Sequence, residues 1–216
     1  MKDYKNRLPK IWFYKIQGED YVSTSKEIEI ANRLSRSRGK VFLESRAYLR
    51  ESLSYLFNES PLKIPVIANP NQPPILPKGM GFISLSHCKD AITIAWHINE
   101  IGIDIERSDR EFNYKAIERK YFCKISDQQN NDFMKKEILN LWCGLEAAIK
   151  WNKGKLAEDI CEWEYQKNLH NIYHKKKKIS TQLSHISFLD WTIALAYKNK
   201  SSNDLPEIIC SEIQQF

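Results

Sequence analysis

Three short stretches place ionisable side chains at spacings that could do chemistry. In Ile101-Gly102-Ile103-Asp104-Ile105-Glu106 the alternation is strict, so Ile101, Ile103 and Ile105 take one face of a strand and Gly102, Asp104 and Glu106 the other. Residues at i and i+2 of a strand stand roughly 6.5–7 Å apart, so two carboxylates on one side can reach a single cation lying above them. Gly102 is read as leaving room beside them for a bulky ligand. An amphipathic strand with a wet acidic face gives the same pattern. In the second stretch, Leu141 to Lys150, Glu146 and Lys150 are one helical turn apart on the side of Trp142, while Ile138, Leu141, Leu145 and Ile149 make an apolar stripe. A surface ion pair would look alike, but Trp142 beside it points to partial burial. The third stretch is Ser86-His87, directly after a strand at Phe82 to Leu85. This is read as a loop position able to donate hydrogen bonds to a phosphate, or as a structural turn.

The elements that must position these groups can be read from periodicity. Ile11 to Ile16 reads as a strand, and Ser25 to Tyr55 carries apolar residues at helical spacing that support one or two helices, with Gly39 as the expected break. The same stretch is studded with Arg33, Arg36, Arg38, Lys40, Arg46 and Arg50, which predicts a strongly basic helical face. A short strand is expected near Ile64 to Ala68, then a proline-rich loop. Strands follow at Phe82 to Leu85, Ala91 to Ile98 and Ile101 to Ile105. From Phe112 the period turns helical, and Asp132 to Trp151 is the most persuasive helix, capped by Asn131 or Asp132 and stopped at Gly154. Further strands are expected at Ile160 to Tyr165, Ile186 to Leu189 and Thr192 to Tyr197.

An internal echo bears on architecture. Ile83-Ser84-Leu85 followed by Asp90 to Trp96 resembles Ile186-Ser187-Phe188 followed by Asp190 to Tyr197. Two matched strand pairs, each with a long helix upstream, predict an α+β protein made of two similar α+β halves about a pseudo-twofold axis, residues 1–99 and 100–216. A ligand is then expected in the cleft between them.

Composition narrows the classes of partner. With 216 residues, 42% hydrophobic content and no apolar run long enough for a signal or a span, a cytoplasmic protein that meets no membrane is expected. Five cysteines without a C-x-x-C pair are expected to be reduced, buried thiols. A formal charge of +6 favours anionic partners without separating nucleic acid, nucleotide and acidic protein. A basic nucleic-acid-binding module is the rival reading, but no recognised nucleic-acid motif accompanies the charge, and no nucleic-acid partner is expected. Lys175-Lys176-Lys177-Lys178 reads as a solvated tip between strands, and His170 and His174, which lack a nearby third ligand, as surface residues.

Taken in order and at these gaps, Phe82-Ile83-Ser84-Leu85-Ser86-His87, the Ile101 to Glu106 strand and Leu141 to Lys150 resemble the 4'-phosphopantetheinyl transferase superfamily, in its larger, monomeric surfactin-synthetase-activator class. With weaker likeness from Arg33 to Leu56, the resemblance covers most of the chain. It implies a monomer of pseudo-twofold fold that moves the phosphopantetheine of coenzyme A onto a serine of an apo acyl or peptidyl carrier protein. It also implies Mg²⁺ ligated by Asp104, Glu106 and Glu146, Glu146 and Lys150 in catalysis, Lys150 near the scissile phosphate, and Ser86 and His87 at the nucleotide end. Three positions depart from the family pattern. Asn71-Gln72-Pro73 stands for Gly-Lys-Pro, Leu145 for a lysine, and Val41 near an expected arginine, for which Arg38, Lys40 and Arg46 are the substitutes. Those departures leave room for a non-catalytic relative that only binds carrier proteins.

Overall fold

A computed structural model describes residues 8–19, 21–67, 72–122, 131–166, 170–198 and 207–210. The protein is α+β with two sheets. Strands β1 (Lys10–Lys15), β2 (Phe82–His87), β3 (Ala91–His97) and β9 (Glu207–Cys210) form the first, in the order β2-β3-β1-β9. The second runs β4-β8-β7-β6-β5, from β4 (Ile101–Arg107), β5 (Trp163–Tyr165), β6 (Asn171–His174), β7 (Ile179–Phe188) and β8 (Trp191–Tyr197). All neighbours are antiparallel except β1 and β9.

The helices are α1 (Ser25–Asn32), α2 (Arg36–Phe57), α3 (Tyr114–Ile117), α4 (Asn131–Trp151) and α5 (Leu156–Asp159). Strand alternation sorts the side chains into layers. Ile11 and Phe13 of β1, Ile101, Ile103 and Ile105 of β4, and Trp191, Ile193 and Leu195 of β8 meet between the two sheets. The other face of β1 and β3, with Trp12, Tyr14, Ile92, Ile94 and Trp96, packs on Tyr48, Leu49, Leu53 and Leu56 of α2. The other face of the second sheet, with Ala194 and Ala196, packs on Leu145, Ala148 and Ile149 of α4. Strands β3 and β8 are covered on both faces, which is why they read as mostly apolar runs rather than as alternating ones. Full burial of a leucine such as Leu49 or Leu53 contributes about 2 kcal/mol each.

The echo seen in the sequence is a repeated connectivity. β1-α2-β2-β3 gives the order β2-β3-β1, and β4-α4-β7-β8 gives β7-β8-β4, so in each unit the last strand lies in the middle. The units share a turn detail as well. Ile16, just after β1, donates its amide to Asp90 O (2.9 Å), and Ser108, just after β4, donates to Asp190 O (2.8 Å). Arg107 reaches across both, with Nη1 2.6 Å from Asp90 Oδ2 and Nη2 3.9 Å from Asp190 Oδ2.

Several sequence expectations need correction. Gly39 does not break the helical stretch. The chain parts at residues 33–35, and Gly39 lies inside α2, where a Cβ would come 2.8 Å from Ala31 O of α1. It is there so that two helices can touch. No strand forms at Ile64 to Ile67, only a single bridge between Ile67 and Ile75, and Ala68 lies outside the described residues. Ile160–Glu162 is a 3₁₀ turn, leaving β5 to begin at Trp163, and β7 starts at Ile179, well before Ile186. His174 is not a surface residue. It is fully buried, its Nδ1 accepting from Lys177 N (3.3 Å) and its Nε2 3.3 Å from Asp159 Oδ1, whereas His170 is exposed. Cys143 is buried as expected and Cys161 is exposed, while Cys123 lies outside the described residues. The four lysines do cap the β6–β7 hairpin as an exposed turn.

Candidate active site

The edge strand of each sheet, β2 and β4, lies side by side with the other. Where a further strand would offer a carbonyl, Ser84 Oγ of β2 accepts the Ile103 amide of β4 at 3.0 Å. Two residues on, on the same face of β2, Ser86 Oγ donates to Asp104 Oδ1 at 2.7 Å. Ser86 and His87 are thus the last residues of a strand rather than loop residues, and strand alternation turns Ser86 toward β4.

Helix α4 closes the site from above. Gly102 does not make room for a ligand, as the sequence suggested. A Cβ there would come 2.0 Å from Ala147 O and 2.4 Å from Trp151 N, so the missing side chain lets the α4 backbone lie against β4. The helix ends one turn later, where Lys153 takes a left-handed φ of 54° and the amide of Gly154 donates to Ile149 O (2.9 Å). That close approach sets Lys150 over Asp104. Its Nζ is 2.7 Å from Asp104 Oδ1 and 2.8 Å from Ser86 Oγ, closing a three-membered ring of contacts with the Ser86–Asp104 bond.

The electrostatics are those of crowded carboxylates. The Asp104 side chain is only 4% exposed, and its Oδ2 is buried with no hydrogen-bond partner. Glu146, one turn before Lys150, has its pKa raised to about 7, first by burial and then by the Asp104 charge, with Glu106 adding to the rise and Lys150 and the Trp142 indole opposing it. Glu106 is raised too, chiefly by burial, although its ion pair with Arg110 opposes the shift. His87 is lowered, by partial desolvation and by the Lys150 charge. Behind the site the Cys143 thiol is fully buried and pushed well up, by burial and by the negative charge of Asp104.

The structure therefore brings Ser86, Asp104 and Lys150 into direct contact and sets Glu106 and Glu146 within electrostatic reach. It does not draw in the basic residues of α2. Arg38 and Lys40 are exposed on the first turns of α2, and Arg46 is buried against Phe42 with its Nε unpartnered and its pKa lowered to about 10 by burial. Among the described residues none of the three shares a hydrogen bond or ion pair with the Asp104 network. Leu145 is buried in the α4 core layer, and Gln72 is exposed. Two participants had not been singled out. Ser84 was legible in principle, being at i−2 from Ser86 on one strand, but Arg110 lies in the irregular segment after β4, where no periodicity ties it to Glu106.

The donor set bears on whether a metal fits. Among the described residues no three carboxylate, imidazole or thiol groups stand together closely enough to enclose an ion as they are placed. The reason is visible, for Asp104 is taken by Lys150 and Glu106 by Arg110. The chemistry nevertheless suits a hard divalent cation, with Glu146 and Glu106 both raised in pKa by burial and by the Asp104 charge, and with one buried carboxylate oxygen of Asp104 that has no hydrogen-bond partner. No protein-family model matches the chain, and a search of curated proteins finds no significant relative.

Proposed function

We propose that the chain is a magnesium-dependent 4'-phosphopantetheinyl transferase acting on an apo acyl or peptidyl carrier protein, and that its two β-α-β-β units are the pseudo-twofold halves of that family's fold. The observation that carries the reading is the meeting of Ser86, Asp104 and Lys150, one from each of β2, β4 and α4, with the Glu146 carboxyl beside them. These are the positions on which the sequence resemblance rests.

Asp104, Glu106 and Glu146 are the oxygen donors that would hold Mg²⁺, which supplies charge neutralisation on a pyrophosphate. Ser86 and His87, at the end of β2, offer hydrogen-bond donors to the nucleotide end of coenzyme A. Lys150 carries positive charge to the departing 3',5'-ADP. While no metal is bound, burial and the Asp104 charge raise the Glu146 pKa to about 7, which makes its carboxylate more basic than an ordinary glutamate. Its carboxylate takes the proton of the carrier serine as that oxygen bonds to the β-phosphorus of coenzyme A and the bond from this phosphorus to the bridging oxygen breaks.

The test is to incubate the protein with apo carrier protein, coenzyme A and Mg²⁺ and to look for the carrier's gain of phosphopantetheine by mass spectrometry. The gain is expected with Mg²⁺, is absent when the metal is omitted, and is lost in Asp104→Ala. No gain on either acyl or peptidyl carriers would refute transfer. Carrier binding without a covalent product would mark a non-catalytic relative, and transfer retained by Asp104→Ala would remove Asp104 from the site.

A further inference from the structure

We propose that Lys150 is a tethered counter-ion that occupies Asp104 while no divalent cation is bound and is displaced from it when one binds. The inference rests on the metal assignment of the proposed function and adds an exchange to it. A carboxylate 4% exposed cannot be balanced by water, and Lys150 is the cation in contact with it. The pairing is lopsided. Both Lys150 and Ser86 contact Oδ1, while Oδ2 is buried without a hydrogen bond of ordinary geometry, the weakly donating Cys143 thiol being the other group that bears on this carboxylate. The lysine is 31% exposed, on a flexible four-carbon stem, and can leave toward solvent without disturbing the helix backbone that packs on Gly102. Glu106 is held in a parallel way by Arg110, itself 45% exposed. In both pairs the basic side chain is the more exposed partner, so it can be displaced without opening the core, and this accounts for a set of carboxylates that does not enclose an ion as placed.

The probe is Mn²⁺, whose free-ion electron paramagnetic resonance signal falls on binding, with neither coenzyme A nor carrier protein present. Lys150→Met is expected to bind Mn²⁺ about fivefold to tenfold tighter than the unaltered chain, as loss of one competing, partly buried ion pair implies. Lys153→Met is the control for a general charge effect, since Lys153 lies over the Phe82 ring, and it should change affinity less than about twofold. Should Lys150→Met fail to fold, the unaltered chain answers the question. Saturating Mg²⁺ is expected to raise the acetylation rate of the Lys150 amine severalfold by peptide mass spectrometry, and to leave that of Lys153 unchanged. Equal or weaker Mn²⁺ binding by Lys150→Met, an equal gain in Lys153→Met, an unmoved Lys150 acetylation rate, or no Mn²⁺ binding by either chain would each overturn the proposal. A chain that exchanges as expected yet modifies no carrier sinks only the transfer reading, and one that modifies carriers without the exchange sinks only this one.

Discussion

Replacing Glu146 by glutamine tests the electrostatics of the site without a substrate. The carboxyl is raised from 4.5 to about 7 by burial and by Asp104 and Glu106, with Lys150 opposing. In the unfolded chain it titrates near its ordinary value, so between about pH 4.5 and 7 the native state holds a proton that the unfolded state has lost. Protonation therefore stabilises the fold at low pH, and that stability drains away as pH rises through the folded pKa. At about 1.4 kcal/mol per unit the full shift is worth about 3 kcal/mol. Glutamine keeps the shape and removes the charge. Without divalent metal, Glu146→Gln should match the unaltered chain near pH 4.5 and exceed its stability by about 2–3 kcal/mol at pH 8. Urea unfolding at half-unit steps from pH 4.5 to 8 measures the difference. A gap that stays constant across that range, or that narrows as pH rises, would show that Glu146 is not held protonated by its neighbours.

Two further perturbations test the framework around the site. Gly102→Ala should destabilise the fold by about 3 kcal/mol or more in urea, because its Cβ would come 2.0 Å from Ala147 O, a backbone atom that cannot turn aside. Unaltered stability would mean that α4 does not rest on β4 there. Arg107→Gln should speed amide exchange severalfold at both Ile16 and Ser108, whose amides bond to Asp90 O and Asp190 O, because one guanidinium holds both aspartates. Acceleration at Ser108 alone would show that Arg107 does not tie the two sheets together.

What could be read from the sequence was whatever depends on near neighbours. The alternation of Ile101 to Glu106 fixed which side chains share a face, and the i,i+4 spacing put Glu146 with Lys150. Both were local facts that packing then kept. The glycines were misread because a missing side chain is ambiguous locally. Gly39 and Gly102 could equally have marked a break, a ligand pocket or a close approach, and only the partner backbones, Ala31 and Ala147, decide for close approach. His174 was misplaced for a similar reason. Its burial comes from Trp163 and Asp159, which reach it only once β5 and β6 pair. Arg110 could not be found at all, since its bond to Glu106 is made in irregular chain.

The site is a consequence of how closely one helix rests on one strand. Any side chain at position 102 would lift α4 away from β4, and with it the backbone from which Lys150 reaches Asp104 and Ser86. The same contact brings Glu146 down to where Asp104 and Glu106 raise its pKa, so the packing that excludes water also concentrates negative charge. Three carboxylates within electrostatic reach of one another, with Asp104 only 4% exposed, need countercharge. Lys150, Arg110 and a proton on Glu146 supply it while no metal is bound. On the proposed reading, a divalent cation would take over two of these three positive charges.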